Sequence, residues 1–320
     1  MVLSAIPGKA QTQAAVDAAW YAQLRSWRIQ VGACAQRVSR RRVHMLRVAT
    51  LRLLSSSCQI FSPLVKSPAS YALRRWTKQA EKLRQVLSHV REFDVYRARL
   101  AGLRASLDVP NAARLHTSRE ILRQIDCLGA RLKQRRRAAA ERLTARIAKS
   151  LPRLCEASDA MERAMRAAPV QYAEQSIASG IAALMADFPE PDASNLHDLR
   201  KRIKALRYTA EAAGPSDMRT RKLLRTLRAM HTAIGTWHDW DGLARKARQL
   251  LRDQSAPISL IALLDEIAAE WLERATGMCR RSRAKLDRLW RETERTPATM
   301  GKLPVQRTGD ARATRMQRRA

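Results

Sequence analysis

Between Leu196 and Tyr208 the sequence reads LHDLRKRIKALRY, and at about 100° per residue it sorts into two helical faces. His197, Arg200, Lys201, Lys204, Arg207 and Tyr208 share an arc of roughly 120°. Leu196, Leu199, Ile203 and Leu206 occupy the opposite side. Such a helix buries its apolar stripe against a core and leaves a cationic stripe outside it. Cations stacked at i, i+3, i+4 and i+7 repel one another and disfavour an isolated helix. An anionic partner would compensate them.

The rest of the chain also reads as helix. Few stretches alternate with period two, Ala, Leu, Arg and Gln dominate, and glycine is sparse. The expected fold class is all-α, with helices over 11–35, 38–61, 69–89, 91–107, 112–150, 153–186, 192–213, 217–253 and 257–296. Pro63 and Pro68 separate the second from the third. Pro110 and Pro152 bracket a long basic helix that contains Arg135, Arg136 and Arg137. The clearest linker is FPEPDASN (188–195), where Asp192 or Ser194 is placed to cap the next helix. Residues 1–14 read as a leader without a signal peptide, and residues 298–320 as a disordered basic tail.

The formal net charge is +32, from 61 Lys and Arg against 29 Asp and Glu. That charge raises self-repulsion in the folded state and points to a polyanionic partner. The hydrophobic content of 46% is enough for a core, so the chain is not simply a disordered basic tail. Five cysteines, at positions 34, 58, 127, 155 and 279, make no C-x-x-C pair and none stands at metal-ligand spacing from a histidine. Reduced thiols, a cytoplasmic location and no metal or other cofactor are expected. No apolar run approaches the ~18 residues of a membrane span.

Two motifs recur in the same order. His44-Met45-Leu46-Arg47 precedes Arg91-Glu92-Phe93-Asp94, and His197-Asp198-Leu199-Arg200 precedes His238-Asp239-Trp240-Asp241, at nearly constant offset. This suggests a duplicated helical unit, the first over about 15–165 and the second over about 166–297. In the first half Arg37, Arg40, Arg41, His44 and Arg47 share one arc before the stripe fades into Val48 and Leu51. Arg75, Lys78, Lys82 and His89 form a further stripe. Lys222 and Arg225 stand at the matching place in the second half, with Ala229 in place of the third cation. Arginine grips phosphate oxygens with a planar fork of donors, and lysine adds a compact charge. The acids beside these motifs, Asp94, Asp239 and Asp241, are expected to hold arginines in place by ion pairing, as is Arg91 with its neighbours.

These residues resemble the CHAD family, the conserved histidine α-helical domain. Val43-His44-x-x-Arg47-Val48-Ala49-Thr50-x-Arg52 is similar to its first signature, Val90-Arg91-Glu92-Phe93-Asp94-Val95 to its RD-x-DV element, and Leu196 to Tyr208 to its second-repeat signature. The resemblance spans roughly residues 15–297. It implies two pseudo-symmetric antiparallel helical bundles around a basic central groove, non-catalytic binding of inorganic polyphosphate, and association with polyphosphate granules. Residue by residue it picks out His44, Arg47, His197, Arg200, Lys204 and Arg207. The chain departs from the family at Met45, where Asp is usual, at Leu51 and Leu54, where Arg is usual, and at Glu92, where Asp is usual. No E-x-E-x-K motif of a triphosphatase domain is present.

Nucleic acid is the alternative polyanion, since non-specific affinity follows phosphate neutralisation. Against it, the few aromatics make no stacking platform and no helix-turn-helix signature is found. A metal-dependent phosphohydrolase is a weaker alternative carried by His197-Asp198 and His238-Asp239. Weaker still is attachment of the tail to an anionic membrane surface.

Overall fold

A computed structural model describes residues 9–61, 68–107, 115–167, 175–212, 218–252 and 258–295. Eight helices make up almost all of them: α1 (Lys9–Gln36), α2 (Arg40–Phe61), α3 (Pro68–Leu107), α4 (Leu115–Ala167), α5 (Gln175–Ala186), α6 (Leu196–Ala212), α7 (Met218–Leu250) and α8 (Ile258–Arg295). No strand occurs among the described residues, so the fold is all-α. The expected tail at 298–320 and most of the expected leader lie outside the described residues.

The sequence divides two of these helices where the chain does not. Residues 69–89 and 91–107 belong to one helix, α3, because nothing in LSHVREFD breaks the i→i−4 ladder. Pro152 lies inside α4. Its missing N–H leaves one carbonyl of the preceding turn free, and the exposed position of Pro152 lets water satisfy it. Flanking residues Leu151 and Leu154 hold the helix to the core on both sides of the proline. The described part of α4 runs to Ala167 and α5 begins at Gln175, with residues 168–174 outside the described residues. Residues 37–39 are not helical, because the Ser39 hydroxyl accepts from Arg42 N at 3.3 Å and caps α2. Arg37 therefore precedes the helix and does not share its stripe. At the linker, Asp192 closes the turn that leads into α6: its Oδ1 accepts from the backbone N–H groups of Ser194 (2.7 Å) and Asn195 (3.1 Å), both of which precede the helix.

Three apolar cores hold the helices. In the first, Trp20, Trp27, Leu46, Trp76, Leu83 and Leu143 join α1, α2 and α3 to the C-terminal half of α4. Polar groups on the inward face of α2 serve the indoles there: Trp20 Nε1 donates to Ser57 and Trp27 Nε1 to Thr50, each at 3.0 Å. Trp27 and Trp76 meet edge-to-face with centroids 5.6 Å apart. In the second core, Leu184, Leu199, Ile203, Leu227, Met230 and Leu286 join α5, α6 and α7 to the C-terminal half of α8. Leu196, Leu199, Ile203 and Leu206 are all buried in this core, as the helical wheel requires. The third core is built from the outer ends of the α3–α4 and α7–α8 pairs, through Leu100, Leu128, Leu132, Leu243, Ala247 and Leu264. With α2 also touching α6 and α3 touching α7, a groove is left between these four helices.

Candidate functional site

Four helices line that groove, which encloses about 790 Å³. α2 contributes His44 and Arg47, and α6 contributes Arg200, Arg207 and Tyr208. α3 adds Ser88, Arg91, Glu92, Tyr96 and Arg99; α7 adds His231, Thr232, Thr236, His238, Asp239, Arg245 and Lys246. Two glycines of α7 let the walls come close. A Cβ on Gly242 would overlap the Tyr96 hydroxyl, and one on Gly235 would stand 3.7 Å from the Arg200 guanidinium.

Some of these cations are already paired. Arg99 donates to Asp239 at 3.2 Å, Arg245 pairs with Asp241 at 2.7 Å, and Arg207 lies 3.8 Å from Glu211. Arg47, Arg91, Arg200, Lys204 and Lys246 have no carboxylate within ion-pair distance among the described residues. Arg47 reaches only the Ser88 hydroxyl, at 3.5 Å. The Nε atoms of Arg200 and Arg207 and Nε2 of His231 are buried without a hydrogen-bond partner. The two guanidinium N–H groups are donors left without acceptors in a place that water barely reaches.

Burial and crowding disfavour several of the protonated bases in and beside the groove. Burial first, and then the charges of Arg47, Arg200, Arg84 and Arg207, push the Lys204 ammonium down to about 7. Burial and the neighbouring Arg200 push His231 to about 3 and His238 to about 4. His44 is lowered by burial and by Arg91, and His197 by burial and by Lys201. Arg47 and Arg200 are themselves lowered, chiefly by burial. An anion in the groove would oppose these shifts by favouring the protonated forms.

Of the residues marked out by the sequence, the structure brings His44, Arg47, Arg200 and Arg207 together on the groove wall. Lys204 sits beside them, with Nζ 5.8 Å from the Tyr208 ring centroid. His197 is exposed at the rim, its ring 5.3 Å from that of His238. Lys201 pairs with Asp198 at 2.8 Å. The other marked cations stand elsewhere. Arg37 and Arg41 are exposed near the start of α2, Arg75 pairs with Glu156 at 2.8 Å, and Lys78 is exposed. Lys82 lines a separate groove between α3 and α4. Lys222 and Arg225 are exposed, with Lys222 projecting from the side of α7 opposite the groove. Among the acids, Asp94 is buried and accepts from Arg136 at 3.1 Å, while Asp239 and Asp241 hold Arg99 and Arg245. The helical wheels do not single out Arg99, His231, Arg245 or Lys246. Their shared face of α3 or α7 is visible only when each helix is followed along its whole length.

The described residues contain no group of three or more His, Cys, Asp or Glu side chains able to hold a metal ion. None of the described helices is long and apolar enough to cross a membrane. No curated protein matches the sequence. Among solved structures, the chain is similar to the CHAD domain from the plant Ricinus communis, at 18% identity and a TM-score of 0.58 over 90% of this chain and 94% of that one. It is also similar to PptA from Streptomyces chartreusis, at 15% identity and a TM-score of 0.55 over 87% of this chain and 99% of that one. The family model of the CHAD domain matches residues 18–251, and the chain belongs to that family.

Proposed function

We propose that this chain binds inorganic polyphosphate in the groove between α2, α3, α6 and α7, without cleaving it. The observation that carries the reading is the set of four cations lining the groove, Arg47, Arg91, Arg200 and Lys246, with Lys204 beside them, none of which has a carboxylate within ion-pair distance among the described residues. A folded protein keeps such a cluster at a cost in stability, and a phosphate chain removes that cost by supplying acceptors to every donor at once. The buried Nε–H groups of Arg200 and Arg207 are donors that phosphate oxygens would satisfy. A duplicated helical unit would account for Arg47 of α2 and Arg200 of α6 both lining the groove. A cytoplasmic location on polyphosphate granules fits the same reading.

The aromatic groups favour polyphosphate over nucleic acid. The Tyr208 ring carries the Arg207 guanidinium 4.6 Å from its centroid, and Trp240 carries that of Arg99 at 5.7 Å. Faces occupied by cations are not available for base stacking, on which single-strand binding relies. A titration of the full chain with labelled polyphosphate, competed with duplex DNA and RNA at equal phosphate concentration, tests the choice. Retention of polyphosphate supports the proposal, and its displacement by nucleic acid overturns it. Release of orthophosphate in the presence of Mg²⁺ would overturn the non-catalytic part.

A further inference from the structure

A second groove runs between α3 and α4 and encloses about 730 Å³. It is cationic in the same way as the first. Arg135, Arg142 and Arg146 stand at i, i+7 and i+11 on α4, within an arc of about 40°. Lys82 faces them from α3, and Glu92 is the only carboxylate on the lining. None of Lys82, Arg135, Arg142 and Arg146 has an ion-pair partner among the described residues. Their neighbours are treated differently. In the run Arg135-Arg136-Arg137, Arg136 is held by Asp94 at 3.1 Å and Arg137 by Glu141 at 3.2 Å. Only the member that faces the groove is left unpaired. Ala139 lies between the α4 arginines and keeps the floor open.

The two grooves adjoin. Glu92, Lys246 and Gln249 line both of them. On α3, the residues that line the second groove project about a quarter turn from those that line the first, and Glu92 falls between the two sets. Lys246 stands at the junction, its ammonium 5.8 Å from the Phe93 ring centroid and 3.0 Å from the Gln249 side-chain oxygen. A flexible polyanion leaving the central groove past Lys246 therefore meets a second row of unpaired guanidinium groups.

We infer that the α3–α4 groove is a second phosphate-binding stretch, continuous with the first, that takes the emerging part of a long polyphosphate chain. This rests on the proposed function of the central groove. It makes the protein sensitive to chain length. A short chain fills the central groove alone, whereas a long one gains the second row of guanidinium groups at high effective concentration.

The test compares the full-length chain with the variant Arg135→Gln, Arg142→Gln, Arg146→Gln. The probes are tripolyphosphate and long-chain polyphosphate. None of the three side chains holds the fold together, and circular dichroism checks that the variant remains folded. The expected result is a loss of long-chain affinity of about tenfold or more at low salt. The slope of log affinity against log salt should become shallower by roughly 2, at about 0.7 for each phosphate that the variant leaves unneutralised. Tripolyphosphate affinity should stay within about twofold, as expected for a ligand that never reaches the second row. Unchanged long-chain binding would overturn the inference, and so would equal losses for both probes, which would mean bulk charge alone. Failure of the underlying reading looks different: the unmodified protein would bind neither probe, or Arg47→Gln with Arg200→Gln would leave both affinities intact.

Discussion

Replacing Lys204 by methionine keeps the aliphatic stem and removes the charge, and it should change stability and binding in opposite directions. The ammonium is held down to about 7 from an ordinary 10.5. At about 1.4 kcal/mol for each tenfold change, that drop corresponds to roughly 5 kcal/mol of unfavourable free energy in the folded state. Solvent that still reaches the half-buried group lowers the figure to about 2–4 kcal/mol. The sign follows from proton linkage. Below about pH 7 the lysine is charged in both the folded and the unfolded chain, and the cost is fully present. Between about pH 7 and 10.5 the folded protein sheds the proton first and the cost fades. Lys204→Met should therefore be more stable than the parent by about 2–4 kcal/mol near pH 6, with the difference closing toward pH 10. Urea denaturation followed by circular dichroism at several pH values in low salt measures it. Polyphosphate affinity of the same variant should fall about tenfold, which is about 1.4 kcal/mol. A variant that is less stable than the parent near pH 6, or a difference that does not depend on pH, would refute the reasoning.

Arg47→Ala with Arg200→Ala should weaken polyphosphate binding by at least about thirtyfold, since charge-assisted hydrogen bonds contribute roughly 1.5–3 kcal/mol each. Lys78→Ala with Lys222→Ala, outside the central groove, should change it by less than about threefold; equal losses in a titration would contradict the site. Affinity should fall as the pH rises above about 7, because Lys204 must regain a proton to pair with phosphate. Calorimetry in buffers of different ionisation enthalpy should then register proton uptake. Arg136→Ala strands the buried Asp94 carboxylate and should cost about 3 kcal/mol in a denaturation experiment, whereas Arg137→Ala, in an exposed pair, should cost under about 0.5 kcal/mol. Gly242→Ala forces a methyl group against the Tyr96 hydroxyl and should lower stability by about 1–3 kcal/mol, read as a drop in Tm.

The α6 stripe was legible in the sequence because one short helix carries both faces of the pattern. Leu196, Leu199, Ile203 and Leu206 mark the core side, and Arg200 and Arg207 then point into the groove. The α3 and α7 walls were not legible for a geometric reason. The most conspicuous cations of α3, from Arg75 to Lys82, project about half a turn from Arg91, and a division of α3 after residue 89 conceals the face that runs through Ser88, Arg91, Val95 and Arg99. On α7 the groove face is made partly of Thr232, Gly235 and Thr236, which give no charge signal at all. The small residues admit the opposite wall, and only the packed helices show it. Pairing of acids with arginines was legible as a tendency, but which arginines remain unpaired depends on partners distant in sequence, such as Asp94 for Arg136 and Asp239 for Arg99.

The third core has a consequence for how such a chain can be divided. Leu100, Leu103, Ile125, Leu128 and Leu132 of the α3–α4 pair share one core with the α7–α8 pair. A fragment ending at Ala167 would keep its own indole-rich core yet present these side chains to water as a continuous oily strip. Each half thus covers part of the other's apolar surface. One polypeptide carrying both halves makes the covering of that strip independent of concentration.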